Sequence, residues 1–74
     1  MKSEKIKITT EYIKLDQLLK FCAMAQTGAE AKEMILDEIV LFNGEVCTMR
    51  GKKVRPGDVI TIEFDDEDYQ IEVE

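Results

Sequence analysis

The chain has 74 residues, 45% hydrophobic and 35% charged, with a formal net charge of −6 and no histidine. A chain this short buries only about 60% of the surface its unfolded form exposes, so a single small core is expected and little room is left for a large catalytic apparatus. The apolar content argues against disorder, and the missing histidine removes the commonest general base and the commonest zinc ligand.

Ile6 to Thr10 alternate apolar with polar residues, the period of a half-buried strand, so a short first strand is expected there. From Leu15 the period changes. Leu15, Leu18, Leu19 and Cys22 fall on one helical stripe, with Asp16 near the positive end of the helix dipole, which predicts a helix over Leu15–Ala25. Gln26-Thr27-Gly28 interrupts it. Thr27 followed by Glu30 has the spacing of a capping box, so a second helix should start there and end near Asp37 or Glu38. Ala31, Met34 and Ile35 supply its apolar face, while Lys32, Glu33 and Asp37 stay wet.

Ile39 to Phe42 is a β-branched and aromatic run, Asn43-Gly44 supplies the positive φ angles of a type I′ turn, and Glu45-Val46-Cys47 returns as the second arm of a hairpin. Arg50-Gly51 and Pro56-Gly57-Asp58 mark further turns. Val59 to Phe64 alternates as a strand, Asp65–Asp68 reads as a solvated turn, and Tyr69, Ile71 and Val73 give the apolar side of a last strand. The order predicts an α+β fold, two short helices packed on a small, mostly antiparallel sheet, in one domain spanning residues 1–74.

The net charge hides a segregation. Residues 1–62 hold all 10 Lys and Arg against 9 acids, whereas residues 63–74 hold 7 acids and no base. Thr48 to Gly57 carries Arg50, Lys52, Lys53 and Arg55 with no acid, and local sign governs contact because salt screens fields beyond about 8 Å. Cations on a turn-flanked segment reach neighbouring phosphates together and release counterions, although an ordinary solvated loop has the same composition. Lys14, Lys20 and Lys32, on or beside the helices, either extend this patch or serve solubility alone.

Asp65-Asp66-Glu67-Asp68 lacks the spacing and central glycine of a calcium loop, so it reads as a solvated turn and no metal is expected. Cys22 lies on the apolar stripe of the first helix and Cys47 in the hairpin; two unpaired thiols do not staple a secreted domain, which points to the reducing cytoplasm. No apolar run approaches the ~20 residues of a membrane span, and the first residues lack the apolar core of a signal peptide. There is no nucleophile and base pair, no phosphate-binding glycine loop and no zinc pattern, so neither catalysis nor a cofactor is expected. Tyr12, Phe21, Phe42, Phe64 and Tyr69 read as core or core-edge residues rather than as a base-stacking set.

Four segments in order, IKLDQLLKF from Ile13, TGAEAK from Thr27, VLFNGE from Val40 and RGKKVRPGD from Arg50, resemble the S-four RNA-binding domain family, named after the small-subunit ribosomal protein. The likeness is greatest to its short stand-alone, YaaA-like members. The resemblance implies an alpha-L motif at about residues 13–64, followed by an acidic carboxyl-terminal strand at 65–74. It implies a non-catalytic surface for structured RNA, ribosomal or transfer RNA, made by the two helices and the following loop. Carried over by position, Lys14 matches the basic residue before the Leu-Asp pair, and Thr27 and Gly28 the start of the second helix, where many members have Ser-Arg. Lys20 and Lys32 lie on the helices, Asn43 and Gly44 match the hairpin, and Arg50, Lys52, Lys53 and Arg55 match the basic loop.

The implied protein is a cytoplasmic monomer that contacts RNA or a ribosomal particle and no membrane. Its rival is a protein-interaction module that keeps the fold and turns Asp65 to Glu74 toward a basic protein. Size and sheet content also suit a ubiquitin-like sulfur carrier, but Val73-Glu74 lacks the Gly-Gly tail such chemistry needs. Two departures from the family carry structural expectations. Glu38 stands where a glycine is usual, so either the helix ends differently or Glu38 takes a positive φ at some cost, adding a negative charge close to the RNA face. Gly28, in place of an arginine, removes a phosphate contact.

Overall fold

The computed structural model describes residues 2–74. In chain order the elements are β1 (Lys2–Ile6), β2 (Ile13–Lys14), α1 (Leu15–Phe21), α2 (Gly28–Leu36), β3 (Val40–Phe42), β4 (Glu45–Val46), β5 (Lys53–Val54), β6 (Val59–Glu63) and β7 (Asp68–Val73). Five strands form one sheet in the order β1-β7-β6-β3-β4, while β2 and β5 make a separate two-stranded ladder. All pairs are antiparallel except β1 with β7. This is the predicted α+β architecture of two short helices on a mostly antiparallel sheet.

Strand alternation gives the sheet two unlike faces. Val40 lies opposite Ile62 and Ile62 opposite Tyr69; Phe42 lies opposite Ile60 and Ile60 opposite Ile71. These rows face the helices, and Val40, Ile60, Ile62 and Ile71 are fully buried. From the helix side come Leu15, Leu18 and Leu19 of α1 and Ala31 and Ile35 of α2, the i, i+3, i+4 stripes that amphipathic helices bury. Each such Leu or Ile contributes about 1.5–3 kcal/mol by leaving water. Every buried residue among the described residues is apolar. The row Leu41, Thr61 and Gln70 on the other face is only half-buried, so that face is open.

The first strand lies earlier than its alternation predicts. Ile6 to Thr10 alternate, yet β1 is Lys2–Ile6, because the parallel ladder pairs Lys2 with Tyr69 through Ile6 with Val73 and β7 ends there. Beyond it, the Ile8 N–H reaches the Glu74 carbonyl at 3.2 Å and the connection then leaves the sheet. The acidic carboxyl-terminal strand is therefore no appendage: β7 lies between β6 and β1 and buries Ile71 and Val73.

Helix α1 ends at Phe21 rather than Ala25. Ala23 takes φ +60°, its N–H donates to the Lys20 carbonyl at 3.1 Å, and the Met24 N–H donates to the Leu19 carbonyl at 2.9 Å. That is a Schellman ending built without glycine. At the start of α2 the Thr27 hydroxyl accepts from the Glu30 N–H at 3.1 Å, the forward half of the predicted capping box. The helix ends at Leu36 with Asp37 as its C-cap, and Glu38 follows at φ +63°. Of the two alternatives for Glu38, the positive φ is the one taken, at a cost of about 1–2 kcal/mol for a residue with a Cβ. The Glu63 N–H donates to the Ile39 carbonyl at 2.8 Å, which puts Glu38 at the end of the β3·β6 pair where the acidic run begins. No helix among the described residues is long and apolar enough to cross a membrane.

Candidate nucleic-acid interface

The basic segment is tied into the fold through its backbone. The Leu15 N–H donates to the Lys52 carbonyl at 2.9 Å, and the Asp16 N–H donates to the Arg50 carbonyl at 3.1 Å. The Asp16 carboxylate in turn accepts from the Gln17 N–H at 2.8 Å. A helix start leaves such amides without intrahelical partners, so α1 needs these carbonyls and the loop is held wherever α1 goes. The β2·β5 ladder extends the tie, with Ile13 opposite Val54 and Lys14 opposite Lys53. Val54 is fully buried, and alternation along β5 leaves its neighbours Lys53 and Arg55 exposed.

Lys14 and Lys53, far apart in sequence, thus sit directly across a strand pair, where like charges repel and cost a fraction of a kcal/mol, up to ~1. Nearby acids do not cancel them. Among the described residues the ion pair within 4.0 Å is Lys5 with Glu72, at 3.8 Å on the sheet. Aromatic rings position the loop cations instead. The Lys53 ammonium lies 5.0 Å and the Arg55 guanidinium 6.0 Å from the centre of the Tyr12 ring, and the Lys52 ammonium lies 4.9 Å from that of Phe42. A ring face attracts a cation without neutralising it, so these charges stay available to an anion.

A second tie fixes the far end of the segment. The Asp58 carboxylate accepts from the Arg55 N–H at 2.8 Å and from the Asn43 side-chain amide at 3.1 Å, while the Asn43 side-chain oxygen accepts from the Val59 N–H at 2.8 Å. Asn43 at φ +51° and Gly44 at φ +90° make the predicted tight turn between β3 and β4. The Asn43 side chain is engaged in the scaffold, pinning the hairpin to the turn that carries Arg55.

Lys14, Arg50, Lys52, Lys53 and Arg55 are therefore brought to one end of the molecule. Other sequence candidates stand apart from that group. Lys20 is exposed in the last turn of α1, and Lys32 is exposed on α2, which packs on α1. Thr27 and Gly28 open α2, and a Cβ placed on Gly28 would meet nothing within 4 Å. No hydrogen bond or ion pair found among the described residues joins these four to the basic loop. Sequence reading missed Tyr12, which underlies two of the cations, because its partners are some forty residues away; the aromatic next to Ile13-Lys14 was the available signal. It also missed a cleft of about 240 Å³ between Phe42, Val46, Met49 and Lys52. Cys22 is half-buried beside Glu4, and burial, then hydrogen bonding and charge from that carboxylate, push its thiol up to about 12, so it remains protonated near neutrality.

The S4 domain family model matches residues 6–72. The chain is 43% identical over 58 residues to the probable ribosome maturation protein RlbA of Bacillus subtilis (strain 168), covering 78% of this chain and 82% of that protein. It is 37% identical over 49 residues to the small ribosomal subunit protein uS4 of Coxiella burnetii, covering 66% of this chain but only 24% of that longer protein. With the family model spanning nearly the whole sequence and a relative of similar length at this identity, the chain belongs to the S4 domain family.

Proposed function

We propose that this chain is a non-catalytic RNA-binding module of the ribosomal environment, which recognises structured ribosomal or transfer RNA by shape and phosphate contacts. The observation that carries the proposal is the clustering of Lys14, Arg50, Lys52, Lys53 and Arg55 by backbone ladders and caps, with aromatic rings beside Lys52, Lys53 and Arg55. The names of its relatives, a ribosome maturation protein and a small-subunit ribosomal protein, support the same setting. In this reading those five cations meet phosphates, Lys20 and Lys32 add weaker contacts, and the open start of α2 at Thr27 and Gly28 presents amide N–H groups. Asn43 and Gly44 hold the loop in register. Residues 1–74 act as one unit, a monomer in the cytoplasm.

Titration against structured ribosomal RNA and matched duplex DNA at two salt concentrations tests this reading. The variant with Arg50, Lys52, Lys53 and Arg55 all changed to Glu accompanies the intact chain. The intact chain should bind RNA in a salt-sensitive way, and the variant should lose at least ~100-fold in affinity and flatten the logarithmic salt slope by about 3. Equal affinity in the two proteins would remove the site assignment. A folded chain that binds no RNA favours the second reading, a docking module for a basic protein. One observation supports that alternative: Phe64 is 46% exposed at the head of the Asp65–Asp68 run.

A further inference from the structure

The cleft beside the basic loop has a chemistry different from that of the loop itself. Phe42, Val46 and Met49 wall it, and Glu45, Thr48 and Lys52 supply its polar edge. Val46 is 51% and Met49 64% exposed, large apolar side chains left in water next to a cluster of cations. Their exposure follows from topology. β4 is a two-residue edge strand, and the chain after it runs irregularly from Cys47 to the Arg50 turn, so among the described residues no further strand pairs with β4 at this corner.

Two features decide what the cleft takes. Its apolar walls and the Glu45 carboxylate disfavour a phosphate, which would be desolvated and repelled there. Lys52 belongs both to the cleft and to the basic segment, with its ammonium over the Phe42 ring. A ligand whose phosphates lie on Arg50 to Arg55 therefore carries its neighbouring groups to the cleft mouth. The part of a nucleic acid that is flat, apolar on its faces and edged with hydrogen-bond donors is a base, and a base is free to leave the duplex only where it is unpaired. The volume of about 240 Å³ is several times the ~30 Å³ of one liquid water, enough for a ring system.

We propose that the Phe42, Val46 and Met49 cleft receives one unpaired nucleobase of an RNA whose backbone lies on the adjacent cations, with Glu45 and Thr48 meeting the edge of the base. The proposal rests on the RNA-binding reading above and adds to it a preference for a bulged or looped nucleotide at a fixed place beside the contacted helix. Sequence hides the site because its walls come from β3, β4 and the loop before the Arg50 turn, and none of them forms an aromatic run.

A short RNA duplex with one bulged 2-aminopurine and the same duplex fully paired are titrated side by side. The intact chain should bind the bulged duplex roughly fivefold or more tightly, the scale of one base contact, and change the 2-aminopurine fluorescence on binding. The double variant Val46→Ser, Met49→Ser, altered only at exposed positions, should bind the bulged duplex no better than the paired one. Equal binding of both RNAs by the intact chain, or a preference that survives the double variant, overturns the cleft proposal while leaving the phosphate-binding surface in place. Failure to bind either RNA removes both.

Discussion

At the Val59 end of β6, the turn from Arg55 to Asp58 is cross-linked to the Asn43 hairpin through the Asp58 carboxylate and to β7 by the Gly57 N–H, which donates to the Val73 carbonyl at 2.8 Å. At the Glu63 end, the turn through Asp65 and Asp66 is closed by the Phe64 N–H donating to the Glu67 carbonyl at 3.1 Å, and its acids are exposed or half-exposed. One end carries cations on a braced backbone and the other carries acids on a solvated turn. Bracing matters for recognition, because a charge already held in place loses little entropy when an anion arrives. Charges on the solvated acidic turn are not braced in this way, and salt screens their field.

The largest test of this contrast is Asn43→Ala. It removes two hydrogen bonds of the brace and puts alanine at a φ of +51°, so unfolding in urea should show a loss of about 2 kcal/mol. A loss below ~0.5 kcal/mol would mean that the brace is unimportant and that the basic end is as loosely held as the acidic one. Glu38→Gly sharpens the comparison from the other side. Glycine takes the φ of +63° without penalty, so the denaturation midpoint should rise, with a gain of about 1 kcal/mol. The same change should leave RNA affinity nearly constant, since Glu38 lies at the acidic end. The smallest effect belongs to the combined change Asp65→Asn, Asp66→Asn, Glu67→Gln and Asp68→Asn. Stability should move by no more than ~0.5 kcal/mol, and RNA affinity should rise about twofold to threefold at low salt and less at high salt. A gain that persists at high salt would show the acids acting at contact distance.

Much of the fold was readable from local signals. Asn43-Gly44 announces its turn because few other pairs accept two successive positive φ angles, and both are observed. Thr27 announces the start of α2 through a hydroxyl that reaches the Glu30 amide. Other features had no local signal. Alternation at Ile6 and Ile8 continues past the strand, and only the length of β7 decides where β1 stops. The end of α1 carries no glycine or proline; Ala23 turns left-handed because Met24 and Ala25 must come back onto the core. The basic loop was legible as a run of charge. Tyr12 beneath it was not, since that contact joins segments some forty residues apart, and the neighbouring cleft was not because the irregular path after β4, rather than any periodic pattern, shapes it.

By itself the sequence determined the helix stripes, the turns and the segregation of charge, because each depends on residues within a few positions of one another. The tertiary structure decided which strand lies in the middle of the sheet, which lysines face each other and which end of β6 is braced. Those outcomes depend on partners supplied by remote segments: the carbonyls of Arg50 and Lys52 for α1, the backbone of Lys53 for Lys14, and the Asp58 carboxylate for the Asn43 side chain. No local pattern records them, and the candidate interface is made of them.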